Sequence, residues 1–228
     1  MLSAIIVAAG SGRRLKSVVS KPLVKIGKLP VINYSLSVLD KHPAISEIIV
    51  VVNAQNRPAI KRLLNNCSFK KVKPLVLGGK RRQDSVYRGL KAVSVNSAWV
   101  LIHDAARPFI DKAMISSVVS AAKKTGSAVV AVQPKATIKL SQKNNIVQKT
   151  LDREKLWEIQ TPQVFKKELI WRAYEKYAGS CVTDDAALIE KLGRPVELVR
   201  GKYENIKITT AEDLLLAGLI AERLKNAV

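Results

Sequence analysis

An open, mostly parallel α/β sheet flanked by helices is the fold class that three observations predict. Short runs rich in Val and Ile recur at residues 4–7, 48–52, 72–77, 99–102, 128–132 and 196–199. Their apolar character is largely continuous rather than alternating, as expected of strands covered on both faces. Helix-length segments lie between them, at 30–41, 55–65, 82–93, 112–124, 167–177 and 183–192. Strands that alternate with helices build parallel sheets. The whole chain, 1–228, is read as one domain.

The first run sits in "AIIVAAGSGRRLKSVVSKP", residues 4–22. It ends at Ala8 and Ala9, and Gly10, Ser11 and Gly12 then form a loop at the carboxyl edge of the sheet, where ligands of such folds bind. Glycines let backbone N–H groups approach a phosphate closely. The stretch is not a Walker loop, and Leu15 stands where the third glycine of G-x-G-x-x-G would be. It offers instead Arg13, Arg14, Lys16 and Lys21. Several cations converging on one anion suit a triphosphate under substitution, where charge builds on the attacked phosphorus. A solvated basic loop has the same composition.

Three later stretches complete the set. "LGGKRRQDSV" follows the third run: Gly78 and Gly79 permit a tight backbone path, and Ser85 opens the next helix, where it can read a base edge. "LIHDAARP" places Asp104 at the end of a buried strand, a lone acid suited to a divalent cation or a sugar hydroxyl. His103 reads as a hydrogen-bonded strand residue, because a phosphate nucleophile is already ionised and needs no strong base; His42 is given no role. "ATIKLSQKNNIVQKTLD" alternates apolar with polar around the turn pair Asn144-Asn145 and reads as a β-hairpin, an arm at about 135–152. A lone hairpin is marginal in water and needs a surface, either its own sheet or a partner subunit. Arg153 lies just past it. Lys207 precedes a last helix at "TTAEDLLLAGLIAERL", where Thr210 and Asp213 have nearly the spacing of a capping box.

Composition narrows the partners. The chain carries 39 basic and 18 acidic residues, a net charge of +21, which favours anionic partners. Cys67 and Cys181 are the only cysteines, too few and too far apart for a disulfide framework or a zinc site, so a reducing cytoplasmic compartment is expected. "LSAIIVAAG" is too short to span a bilayer and lacks a basic leader, so neither a signal peptide nor a membrane association is expected.

Taken in order, "AAGSGRR", "GGKRRQDSV", "HDAARPF", "LDREKLW", "TPQVF", "TDDA" and "NIKIT" resemble the 2-C-methyl-D-erythritol 4-phosphate cytidylyltransferase family. The resemblance runs from Ala8 to Thr209. It implies a Rossmann-like nucleotidyltransferase fold with a projecting β-arm that interlocks two subunits as a homodimer. The implied reaction joins methylerythritol phosphate to CTP with magnesium, releasing pyrophosphate. Arg14 and Lys21 match the transition-state stabilisers, and Arg153 and Lys207 the pair that positions methylerythritol phosphate. Asp104, Arg107, Thr137 and Thr183 match substrate or metal contacts, with Asp104 the metal ligand. Gly79 and Ser85 match positions near the cytosine. Ser20-Lys21-Pro22 departs from the family's usual Pro-Lys-Gln, though the seven-residue step from Arg14 is kept; Pro22 stiffens the chain there.

Two rivals remain at this level. Ribitol-5-phosphate cytidylyltransferase is similar in fold and in several loops, but "HDAARP" and "LDREKLW" fit the methylerythritol family better. A basic nucleic-acid-binding domain has only the charge in its favour. Aromatic residues are 5% of the chain and no nucleic-acid motif is present, so no nucleic-acid partner is expected.

Overall fold

The computed structural model describes residues 1–10, 20–142 and 144–226. Its strands are β1 (Leu2–Val7), β2 (Lys25–Ile26), β3 (Leu29–Pro30), β4 (Ile45–Val52), β5 (Val76–Leu77), β6 (Trp99–Asp104), β7 (Ser127–Val132), β8 (Lys139–Ser141), β9 (Val147–Thr150), β10 (Glu158–Lys166) and β11 (Glu197–Arg200). The α-helices are α1 (Val31–Lys41), α2 (Arg57–Asn65), α3 (Arg82–Ala92), α4 (Lys112–Thr125), α5 (Lys167–Lys176), α6 (Ala186–Lys191) and α7 (Ala211–Asn226). Seven strands form the central sheet in the order β11-β7-β10-β6-β1-β4-β5. All its pairings are parallel except those of β10, which runs antiparallel to both β6 and β7.

The apolar runs follow from the layers. Ala4, Ile6, Val50, Leu101 and Val130 face a core shared with α1 and α4, whereas Ile5, Val51, Ile102, Val129 and Phe165 face α3, α5 and α6. With both faces covered, most positions of these strands are apolar. Close packing fixes residue type on the helices too. A Cβ on Gly89 of α3 would lie 2.7 Å from Ile5 Cγ2, so α3 can lie this near β1 only with glycine there.

Register decides where the loops emerge. Val7, the last residue of β1, pairs with Val51 on one side and with Asp104 on the other. The loops after β1, β4 and β6 therefore leave the sheet at one edge.

The structure departs from the sequence expectation in the unexpected short pair β2-β3 and in three further elements. The central strand β10 is not expected, because Gln160, Thr161 and Gln163 are polar and Pro162 interrupts the run. These polar side chains are buried and hydrogen-bonded: Gln160 Nε2 donates to the Lys202 carbonyl at 3.0 Å and Gln163 Nε2 to Asp184 at 2.9 Å. Pro162, after a cis peptide bond, falls where the register with β7 shifts between Ile159 and Gln163, so no ladder N–H is missed. The run at 72–77 shrinks to β5 plus a single bridge from Val72 to Ile48, as expected with Pro74 inside it. The helix read at 183–192 starts only at Ala186.

Other expectations hold. Thr210 Oγ1 accepts from the Asp213 N–H at 3.3 Å, and Asp213 accepts from the Thr210 N–H at 2.9 Å, which completes the capping box of α7. The hairpin forms as β8 paired with β9 in a two-stranded sheet of its own, every residue of both strands exposed, with Asn145 at φ 59 in its turn. Leu140, Ile146 and Val147 present apolar surface from it. Among the described residues, no helix is long and apolar enough to cross a membrane.

Candidate active site

A cavity of about 550 Å³ opens at the carboxyl edge of β1, β5 and β6. Its walls are Val7 to Gly10 after β1, Lys21 and Pro22, Gly79 to Arg82 with Ser85, Asp104 to Ala106, and Lys207. Five of these residues are basic (Lys21, Lys80, Arg81, Arg82 and Lys207), and Asp104 is the one acid among them. Low-dielectric walls lined with one sign of charge focus the field on an incoming anion.

Each wall has a local reason to stand where it does. Asn53 Nδ2 donates to the Ala9 carbonyl at 3.2 Å, and Asn56 Nδ2 to the Ala8 carbonyl at 2.9 Å, so two asparagines beyond β4 fasten the loop after β1. A Cβ on Gly78 would lie 2.6 Å from Ala9 Cβ, and the glycine pair thus lets two loops touch. The Gly79 N–H donates to Ser85 Oγ at 3.1 Å, and that hydroxyl donates to the Arg81 carbonyl at 3.2 Å. The Ile208 N–H donates to the Ala106 carbonyl at 2.9 Å, and this bond carries Lys207 to the cavity although it lies far along the chain.

Asp104 is the centre. Arg82 Nε donates to its Oδ1 at 2.9 Å and Lys207 Nζ to its Oδ2 at 2.6 Å. Burial pushes this carboxyl up, but the two cations outweigh burial and hold it well below the usual carboxylate range. Burial likewise pulls Arg82 down, and Asp185 and Asp104 together more than reverse that, so its charge is locked.

Beneath Asp104, His103 is fully buried. Its Nε2 lies 3.0 Å from the Arg107 carbonyl, which can only accept, so Nε2 carries the proton. Its Nδ1 then accepts from the Thr161 hydroxyl at 2.9 Å, and Thr161 Oγ1 accepts the Asp104 N–H at 3.1 Å. Burial pushes the imidazole down to about 4, with Arg107 and Arg82 adding to that and Asp104 opposing it. His103 is thus a neutral strut, consistent with its reading as a structural residue.

The structure brings together most but not all of the residues singled out in the sequence. Ala8, Ala9, Gly10, Lys21, Gly79, Ser85, Asp104 and Lys207 line the cavity. Gly12 and Arg14 lie outside the described residues. Arg107 sits below the cavity wall with its guanidinium donating to the Asn205 carbonyl at 2.7 Å and the Ile159 carbonyl at 3.3 Å. Thr137, Arg153 and Thr183 are exposed and do not line the cavity in this chain. Arg153 Nη1 donates to the Lys135 carbonyl at 2.9 Å, across the base of the arm. Sequence reasoning passed over Arg82, because three consecutive basic residues in a loop give no sign of which one turns inward.

Among the described residues that line the cavity, Asp104 is the one carboxylate available to a divalent cation. Among the described residues no group of three or more His, Cys, Asp or Glu side chains converges. Magnesium held by one carboxylate and by ligand phosphates needs no more than Asp104 supplies, provided Arg82 or Lys207 yields one oxygen.

Comparison with known proteins follows the same outline. The sequence model of the 2-C-methyl-D-erythritol 4-phosphate cytidylyltransferase family matches residues 2–223. The chain is 45% identical over 222 residues to the protein of that name from Dehalococcoides mccartyi, covering 97% of this chain and 96% of the relative. It is 42% identical over 226 residues to that from Shouchella clausii, covering 98% of each. The crystal structure of 4-diphosphocytidyl-2C-methyl-D-erythritol synthase from Anaerococcus prevotii superposes with a TM-score of 0.87 at 36% identity, covering 97% of this chain and 96% of that one.

The buried imidazole sets a pH dependence. An unfolded histidine takes up a proton below about 6.5, whereas folded His103 does so only near 4. Within that window the unfolded chain binds more protons, so stability falls as pH falls, by roughly 1 kcal/mol per unit from this group. Urea denaturation between pH 7 and 4 is expected to show this slope. His103→Gln is expected to flatten it between pH 7 and 5, leaving the contribution of His42, whose burial also lowers it, and, toward pH 4, that of carboxylates held low such as Asp104 and Asp111. An unchanged slope would show that His103 is not held neutral.

Proposed function

The chain belongs to the 2-C-methyl-D-erythritol 4-phosphate cytidylyltransferase family, and from that premise we propose that it joins 2-C-methyl-D-erythritol 4-phosphate to CTP. The products are 4-diphosphocytidyl-2-C-methyl-D-erythritol and pyrophosphate. The observation that carries the reading is the basic cavity at the strand ends with Asp104 held between Arg82 and Lys207 on its floor.

An oxygen of the sugar phosphate attacks the α-phosphorus of CTP in line. The new P–O bond forms as the bond to the β-phosphate bridge breaks, and the electron pair leaves with pyrophosphate. No base is needed, since the attacking phosphate is ionised at neutral pH. Negative charge grows on the equatorial oxygens of the α-phosphate, and this is what cations at the loop tips can stabilise. Lys21 has this role in the proposal, with Arg14 as its companion from outside the described residues. The backbone of Ala8 to Gly10 approaches the phosphates, with Gly12 beyond the described part of that loop, and Gly79 with Ser85 lies against the base. Lys207 meets the sugar phosphate.

Magnesium is the proposed cofactor, with Asp104 as its protein ligand; when bound, it neutralises phosphate charge. The cytoplasm is the proposed compartment. Unpaired Cys67 and Cys181 are in keeping with a reducing one.

The arm belongs to the same proposal. Thr137 and Arg153 flank a hairpin whose strands are exposed throughout and whose apolar residues Leu140, Ile146 and Val147 are 41%, 62% and 56% exposed. A homodimer in which each arm crosses to the partner would bury that surface and bring Arg153, and with it Thr137, to the partner's cavity. Arg107 in this view holds the floor of the site rather than touching substrate, and Thr183 reaches the sugar phosphate from the rim.

Two measurements test these readings. Pyrophosphate release is expected with CTP and methylerythritol phosphate, and far more slowly with ATP or with ribitol 5-phosphate. Lys21→Ala is expected to cut kcat by about 10²–10³ with a smaller change in the KM for CTP. Turnover that ignores the base, the sugar phosphate or Lys21 contradicts the reading. For the arm, Lys207→Ala and Arg153→Ala homodimers are each expected to be nearly inactive. Crossed arms give every mixed dimer one intact site, so co-refolding equal amounts is expected to restore about a quarter of wild-type activity. If mixed dimers form and nothing returns, the arm does not cross.

A further inference from the structure

Asp185 is the most enclosed carboxylate near the cavity, with no exposed surface, although it lines no part of the wall. Its Oδ1 accepts from the Tyr174 hydroxyl at 2.5 Å, and its Oδ2 accepts from Arg82 Nη1 at 2.8 Å. Tyr174 is itself buried on α5 and stacks on Tyr87, with ring centroids 5.8 Å apart and an interplanar angle of 6°. Tyr87 lies on α3, whose first residue is Arg82. Burial and the neighbouring Asp185 push the phenol up, so it stays protonated and donates.

Arg82 is thus gripped from two sides. Nε is bonded to Asp104 and Nη1 to Asp185, and a planar guanidinium bonded at two points can no longer turn. The charges balance as well, with Asp104 and Asp185 facing Arg82 and Lys207. Buried ion pairs are poor sources of stability, since apolar replacements often do as well. A buried carboxylate whose salt bridge goes to a cavity-lining arginine is therefore better explained by placement of that arginine.

Asp185 also ties down the segment before α6. It lies two residues after Thr183, and its neighbour Asp184 accepts from Gln163 Nε2 of β10 at 2.9 Å and from the Ala187 N–H at 3.2 Å. The segment that carries Thr183 is tied to the sheet through one aspartate and to Arg82 through the other.

We infer that Asp185, supported by Tyr174, is a positioning residue that fixes the Arg82 guanidinium against Asp104 and links the Thr183 segment to the nucleotide side of the cavity. This assignment of sides rests on the cytidylyltransferase reading. Neither residue touches substrate; both act through Arg82.

A double-mutant cycle tests this. Asp185→Asn keeps the shape and removes the charge, and is expected to lower kcat/KM for pyrophosphate release about tenfold or more. Asp185→Asn combined with Arg82→Gln is expected to be no worse than Arg82→Gln alone, because the carboxylate has nothing left to place. Tyr174→Phe, which loses only a hydroxyl, is expected to lower kcat/KM about threefold, again with no further loss in the Arg82→Gln background; it serves if Asp185→Asn does not fold. An activity-independent readout accompanies the kinetics: the Arg82 Nε–H resonance is expected to exchange slowly in the wild-type protein and to broaden in either variant. Wild-type kcat/KM in both single variants, losses that multiply in the doubles, or an unchanged resonance would overturn the inference. A wild-type protein inert toward CTP would overturn the functional reading instead, and the resonance would still decide the positioning.

Discussion

A carboxylate taken out of water must be compensated where it sits, and Asp104 is compensated twice, by Arg82 at 2.9 Å and by Lys207 at 2.6 Å. That requirement ties together parts of the chain that are remote in sequence. Asp104 ends β6, Arg82 opens α3, and Lys207 precedes α7. Removing Lys207 leaves Asp104 with one cation instead of two, and removing Arg82 also strips buried Asp185 of its ion pair, the case that costs most. The geometry of the cavity floor is in this sense a consequence of electrostatics, while the sheet provides the place.

The sheet provides it through register. Because Val7 is level with both Val51 and Asp104, the loop after β1 and the turn after β6 face each other across the same edge. Glycines at 78 and 79 let the third loop close against Ala9 and Asp84, where any side chain would collide. A neutral His103 and a buried Thr161 lie under the floor and hold the turn at Asp104 by hydrogen bonds alone.

How much of this could be read beforehand depends on the kind of signal. Most parallel strands declared themselves, since two covered faces favour runs of apolar residues, although the run at 72–77 forms only β5 and a bridge, and the arm declared itself by alternation around Asn144-Asn145. Strand β10 gave no such signal: its inner residues are glutamine and threonine paired by hydrogen bonds, and Pro162 sits in a register shift. Lys21, Gly79, Ser85, Asp104 and Lys207 were legible because their motifs follow strands or resemble a family, and the structure sets them around one cavity. Arg82, Asp185 and Tyr174 were not, since their significance lies in contacts between α3, α5 and the segment before α6 that no local pattern encodes. Thr137 and Arg153 remain matters for the dimer, because a single chain leaves them on its surface.

The claim that the site is organised around a doubly paired Asp104 can be measured directly by following its carboxyl carbon in a pH titration by NMR. In the wild-type protein the resonance is expected to stay that of the ionised form well below the ordinary aspartate midpoint of about 3.9. In Lys207→Ala, which leaves burial in place and removes one cation, the midpoint is expected to move upward. A wild-type midpoint at or above the ordinary value, unmoved by loss of Lys207, would contradict the account.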